Sequence, residues 1–147
     1  YMMKNLTILD NILLPAIESK KSKESRAEKV SRAEALMRKL SIIEVADHDI
    51  NEVSGGQLQR ACICRSMINH PKLLFADEPT GALDYKTSKD ILKLIETINQ
   101  KYGNTVIIVT HNDAIKLMAD KVIKLRDGNI RKEYENTEKV NAEELDW

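Results

Sequence analysis

Three groups of residues in this 147-residue chain have the types and spacing that chemistry on an anionic ligand requires. The first is Ser54-Gly55-Gly56-Gln57, followed by Leu58-Gln59-Arg60 at the start of a helical stretch. Two glycines there let a ligand approach the backbone, free N–H groups and the helix dipole favour an anion, and Ser54 adds a hydroxyl at the N-cap position. The same pattern also serves a plain loop-to-helix transition with a serine cap. The second is Leu73-Leu74-Phe75-Ala76, which ends in the adjacent carboxylates Asp77 and Glu78 and then Pro79. Carboxylates at the C-terminal end of a parallel strand sit where open α/β sheets bind ligands. Neighbouring side chains point to different sides, so Asp77 can join a Mg²⁺ shell while Glu78 orients or deprotonates a water. Asp-Glu-Pro is equally a turn that leads a chain out of a sheet. The third is His111, which could hydrogen-bond a terminal phosphate from a neighbouring strand end, or act as a surface or capping residue. Between the last two lies Gly81-Ala82-Leu83-Asp84, a short loop whose acid is aimed away from the strand.

The elements that must position these residues follow from periodicity. Thr7 and Asp10 form a capping pair for a helix over 7–14, ahead of Pro15, and Ser25 with Glu28 forms a capping box for a helix over 25–40. Ser54 opens a helix through 69, stopped before Pro71. Residues 73–76 and 105–110 are short continuous apolar runs, as expected of strands buried on both faces. A helix over 87–100 ends near Gly103, a short one spans 113–119, and 122–125 and 130–134 flank the turn Arg126-Asp127-Gly128-Asn129 as a hairpin. Strand, helix, strand, helix, strand indicates an α/β fold with a parallel sheet and crossover helices. The chain then divides into an incomplete helical unit at 1–53, part of an α/β core at 54–134 and a polar tail at 135–147, where Trp147 has no evident core to join.

Composition narrows the class. Lys+Arg and Asp+Glu are 23 each, a balance that argues against coating nucleic acid or anionic lipid. Hydrophobic residues at 42% and charged residues at 31% suit a globular chain, and aromatics at 4% imply an aliphatic core. No apolar run approaches the ~18 residues of a membrane span. Cys62 and Cys64 lie roughly 200° apart on a helix, so they neither pair nor share a metal, and a soluble, intracellular chain is expected. His48 and His70 lack metal-ligating neighbours, and Lys20-Lys21-Ser22-Lys23 reads as a solvated loop.

Taken in order, the motifs resemble the C-terminal two-thirds of an ATP-binding-cassette (ABC) nucleotide-binding domain. Val53-Ser54-Gly55-Gly56-Gln57 resembles the family signature, with Val in place of the usual Leu. Leu73 to Glu78 resembles the Walker B strand and catalytic glutamate, Ala82-Leu83-Asp84 the D-loop, and His111 the switch histidine. The resemblance runs from Leu6 to about Tyr134, and the stretches from Leu6 to Pro15 and from Ala76 to Asp84 are similar to ATPases of lipoprotein-release, macrolide-export and antimicrobial-peptide-resistance systems. It implies a P-loop NTPase-like (RecA-like) sheet, here partial, preceded by an α-helical subdomain, with ATP and Mg²⁺ as cofactors. It also implies a head-to-tail ATPase dimer, in which Ser54, Gly55, Gly56 and Gln57 of one subunit close on the γ-phosphate held by the other. Glu78 would be the base, His111 would steady the γ-phosphate, Asp84 would link the two sites and Asp77 would hold Mg²⁺, through a water. A transmembrane permease subunit is the implied partner, on the cytoplasmic, inner face of the membrane, with no nucleic acid. Residues 1–17 would lie beside the groove for the permease, with Met2 and Met3 as an adaptable contact and Leu6, Leu9 and Leu13 in the local core.

No Gly-x-x-x-x-Gly-Lys-Ser/Thr loop occurs among the five glycines, and the first residue is Tyr1. The chain is therefore expected to be a fragment that, alone, neither binds MgATP tightly nor hydrolyses it. Two other readings share the motifs: the signature and Walker B lobe of a chromosome-maintenance or DNA-repair ABC ATPase, and a non-catalytic interaction module. The broken helical pattern before Ser54 disfavours the first, and the presence of Asp77, Glu78 and His111 together disfavours the second.

Overall fold

The computed structural model describes residues 2–19 and 23–146. The Lys20-Lys21-Ser22 part of the expected basic loop, and Trp147, lie outside the described residues.

Helix α1 (Ile8–Glu18) begins as the sequence predicts, with Thr7 Oγ1 accepting the Asp10 N–H at 3.1 Å. Its first N–H groups are also used, since those of Ile8 and Leu9 donate to the carbonyls of His48 and Ala46 at 2.9 and 3.0 Å. The helix does not stop before Pro15 but runs through it. Proline forfeits one helical hydrogen bond, but continuing the helix buries Ala16 completely, and Asn69 Nδ2 donates to the Pro15 carbonyl at 2.9 Å. Helix α2 (Arg26–Lys39) carries the expected capping box, with the Glu28 N–H on Ser25 Oγ at 3.2 Å and the Ser25 N–H on Glu28 Oε2 at 2.6 Å. Helix α3 (Gly55–Met67) packs against both. Ile8, Ile12, Leu13, Ala33, Met37, Ala61 and Cys64 form one aliphatic core with almost no exposure. That core crosses residue 53, because Ala61, Cys64 and Met67 recur at helical spacing on the face of α3 turned toward α1 and α2. Met2 packs on this core, whereas Met3 is exposed.

Strands β1 (Leu73–Asp77) and β2 (Thr105–Val109) pair in parallel, joined by helix α4 (Tyr85–Tyr102), in the register Leu73↔Thr105 through Asp77↔Val109. Asp84 caps α4 at its start and Gly103, at φ +65°, closes it. The strands are not buried on both faces as predicted. Leu74 packs on the helical core and Ile108 on a second cluster, while Leu73, Phe75, Ile107 and Val109 are exposed, Phe75 by 70%. Side chains alternate across a strand, and among the described residues helices cover one face of this sheet only. Among the described residues the parallel sheet also has two strands rather than three: β3 (Lys121–Arg126) pairs antiparallel with β4 (Asn129–Glu135) in a separate hairpin. Its turn places Asp127 and Gly128 at positive φ, as a tight two-residue hairpin requires.

Two further differences concern the end of the chain. The helix expected over 113–119 is a single 3₁₀ turn, Ile115–Met118. The tail, expected to be only polar, makes another 3₁₀ turn at Ala142–Glu144 and buries Ala142 and Leu145 against Leu92, Ile115 and Met118. Leu145 is 1% exposed, and burying a side chain of that size outweighs the polar character of its neighbours.

Candidate functional site

Strand β1 ends at Asp77, and the chain turns sharply at Glu78, whose φ of +44° lies in the left-handed region. Two backbone bonds hold that turn: the Glu78 N–H donates to the Val109 carbonyl at 2.8 Å, and the Gly81 N–H to the Glu78 carbonyl at 3.1 Å. The turn separates the two carboxylates as their adjacency predicts. Asp77 stays exposed at the strand end, while the Glu78 carboxylate reaches the end of β2.

There it meets three donors. The His111 backbone N–H lies 2.9 Å from Glu78 Oε1, His111 Nδ1 lies 2.7 Å from the same oxygen, and Thr110 Oγ1 lies 3.2 Å from Oε2. These bonds, the His111 ring foremost, hold the Glu78 carboxyl below its ordinary value against the opposing effect of desolvation. An ionised carboxylate only accepts, so Nδ1 is the protonated ring nitrogen of His111 when Glu78 is charged. The His111 side chain is 85% exposed and that of Glu78 37%, which leaves the pair open to an incoming ligand. Glu78, His111, Asn112, Thr80, Gly81, Leu83, Tyr85 and Ser88 line a shallow depression of about 280 Å³.

A second depression, about 350 Å³, adjoins the first through Leu83 and gathers Ser54, Gly55, Gly56, Gln57, Arg60, Asp84 and Thr87. Ser54 and Gln57 form a reciprocal capping box, with the Gln57 N–H on Ser54 Oγ at 3.2 Å and the Ser54 N–H on Gln57 Oε1 at 2.9 Å. Asp84 accepts from the Thr87 N–H at 3.0 Å and from Thr87 Oγ1 at 2.6 Å, and these bonds lower its carboxyl pKa. The glycines have a packing reason beside the one predicted. A Cβ on Gly56 would meet Thr87 Cγ2 at 2.7 Å, and one on Gly55 would meet Leu83 Cδ2 at 3.2 Å. The start of α3 is therefore fitted against the loop and first turn of α4.

The fold thus brings Glu78 to His111 and the Ser54–Gln57 segment to Asp84, while Asp77 lines neither depression. Among the described residues no group of three or more His, Cys, Asp or Glu side chains could hold a metal ion. The exposed Asp77 suits Mg²⁺ in one way only, as a single outer ligand to an ion that keeps its waters and binds substrate phosphates. Sequence reasoning missed Thr110, whose position just before His111 was the available signal, and Tyr85, which only its place after Asp84 marked. Cys64 is buried, its thiol pushed up to about 12, so it is inert beside these groups.

Comparison with known proteins gives this arrangement a family. The family model described as ABC transporter matches residues 2–81, more than half of the chain. The chain is 39% identical over 127 residues to the macrolide export ATP-binding/permease protein MacB of Rhodopirellula baltica, a match covering 86% of this chain and 18% of that one. It is 39% identical over 129 residues to the ABC transporter ATP-binding protein MJ0796 of Methanocaldococcus jannaschii, covering 87% and 55%. The dimeric post-hydrolysis structure of the MJ0796 cassette bound to ADP and Pi superposes with a TM-score of 0.79 at 35% identity, over 91% of this chain and 58% of that one.

The chain belongs to the ABC transporter family, and its fold is that of the P-loop NTPase-type ABC cassettes. It spans 18% of that MacB protein and 55% of MJ0796. No helix among the described residues is long and apolar enough to cross a membrane.

Proposed function

We propose that this chain carries the signature and water-activating part of an ATP-hydrolysing subunit that drives an ABC transporter through a separate membrane permease. The observation that carries the reading is the Glu78 carboxylate held between Thr110 and His111 at the C-terminal ends of two adjacent parallel strands. A carboxylate fixed by three donors is well oriented but a weak proton acceptor. It gains basicity when a donor is withdrawn, and the exposed His111 ring is the one free to move toward a terminal phosphate oxygen. His111 then steadies the γ-phosphate while Glu78 orients and deprotonates the attacking water, catalysis of the positioning and charge-stabilising kind. Mg²⁺ bound to the substrate phosphates would neutralise developing charge there, with Asp77 reaching it through a water.

The Ser54-Gly55-Gly56-Gln57 segment takes the opposite role, closing across a head-to-tail dimer on ATP held by the partner cassette, with Asp84 beside it to link the two sites. The dimeric cassette structures of MJ0796 support that assembly, and the name of the MacB relatives supports a permease partner. Such a subunit works at the cytoplasmic face of the membrane. The 147 residues contain no Gly-x-x-x-x-Gly-Lys-Ser/Thr cradle for the β- and γ-phosphates, so by themselves they do not bind MgATP tightly. Calorimetric titration of the chain with MgATP should give no sub-millimolar binding, and turnover should appear only once a P-loop segment is supplied. Tight binding by the chain alone would contradict this.

A further inference from the structure

The Glu78–His111 depression has two walls. One is Tyr85 and Ser88 at the start of α4, and the other is His111 and Asn112 after β2. One segment, residues 136–146, grips both of the stretches that bear them. Its beginning is tied to the stretch between His111 and β3: the Val140 N–H donates to the Leu117 carbonyl of the 3₁₀ turn at 3.0 Å, the Asn136 N–H to the Asp120 carbonyl at 2.8 Å, and Lys139 pairs with Asp120 at 2.8 Å. Its end lies along α4, where Lys93 pairs with Glu143 at 2.9 Å and the Ala142 N–H donates to Glu96 Oε2 at 3.3 Å. At the first turn of α4 the Tyr85 hydroxyl lies 3.3 Å from Asp146 Oδ1 and 3.5 Å from the Leu145 carbonyl. A phenol has one proton, so it serves one of these acceptors at a time.

The exposed ion pairs contribute little by themselves; the apolar cluster is what fastens the segment. Leu92 comes from α4, Ile115 and Met118 from the His111 side, and Ala142 and Leu145 from the segment, none more than 7% exposed. We propose that residues 136–146 are a strap that fixes the spacing of the two walls, with Leu145 and Tyr85 as positioning residues for the Glu78–His111 pair. The strap's catalytic purpose rests on reading that pair as the ATPase centre, but its mechanical effect is measurable without nucleotide.

The test is amide hydrogen exchange on the whole chain, comparing wild type, Leu145→Asp and the conservative Leu145→Met. In Leu145→Asp the amides of His111 and Thr87, which donate to Glu78 and Asp84, should exchange at least about tenfold faster, while those of α2 keep their rates. Leu145→Met should restore them. Loosening confined to residues 136–146 would overturn the strap. Should Leu145→Asp speed every amide alike, Tyr85→Phe decides, since it keeps the ring and the burial of Leu145. About threefold faster exchange at Thr87 and Ser88 with α2 unchanged is then expected, and no change there overturns the proposal. In an assembly supplied with a P-loop, Leu145→Asp should lower kcat for ATP with KM unchanged. Coupled exchange in the chain, together with no turnover by the wild-type assembly supplied with a P-loop, would sustain the strap and count against the ATPase reading instead.

Discussion

At the scale of single residues, the ionisation of Glu78 is set by what surrounds it. His111 and Thr110 are the groups that face its carboxylate, and together they lower its pKa from the ordinary glutamate value of 4.5. A carboxyl whose folded pKa is depressed adds stability that is present above its unfolded pKa and is lost as pH falls through the folded value. Wild type should therefore be more resistant to denaturant than Glu78→Gln near neutral pH, and the gap should shrink below pH 4.5. A gap that stayed constant into acid would mean the three bonds do not favour the charged form. Gly56 is a second case where geometry decides. A methyl there would lie 2.7 Å from Thr87 Cγ2, so Gly56→Ala should cost about 1–3 kcal/mol in chemical denaturation, as overpacking does. Adding Thr87→Ser removes that carbon but keeps the hydroxyl that bonds Asp84, and should recover most of the loss. No recovery would show that the glycine answers to something other than the fit of α3 against α4.

At the scale of elements, local chemistry is legible in the sequence and burial is not. The cap at Ser25, the helix starting at Ser54, the turn at Asp127-Gly128 and the stop at Gly103 all depend on residues within four positions of each other, and all are where the sequence places them. The strand locations were legible for the same reason. Their exposure was not, because it depends on which layers cover the sheet, and Phe75 has the same apolar character whether or not a helix lies over it. Pro15 within α1 shows packing overriding a local stop signal. The Ser54 cap also offers a clean separation of roles. Ser54→Ala should lower stability by about 1 kcal/mol, the usual value of an N-cap, while leaving the Glu78–His111 contact intact by NMR. Disruption of that contact would mean the two depressions are more tightly coupled than their shared wall at Leu83 implies.

At the scale of the whole molecule, the parallel sheet presents an apolar face that none of the described residues covers. Leu73, Phe75, Ile107 and Val109 are exposed by 40–70%, and among the described residues both strands have an unpaired edge. Open edges and apolar faces recruit other chains. Light scattering should show self-association that rises with concentration and weakens when Phe75 and Ile107 are both changed to Lys; a clean monomer at high concentration would contradict this. The candidate site was legible as a set of motifs in order, yet its grouping into two depressions was not, since that depends on the left-handed turn at Glu78 and on the close approach allowed by Gly56. The docked tail was illegible because Val140, Ala142 and Leu145 are scattered among charges with no helical or strand period. The most direct measurement is MgATP turnover by the P-loop-complete assembly with Glu78→Gln. Turnover should fall at least about a hundredfold, as loss of a general base does, with ATP binding retained. Unchanged turnover would reject Glu78 as the water-activating residue, and with it the function assigned to this site.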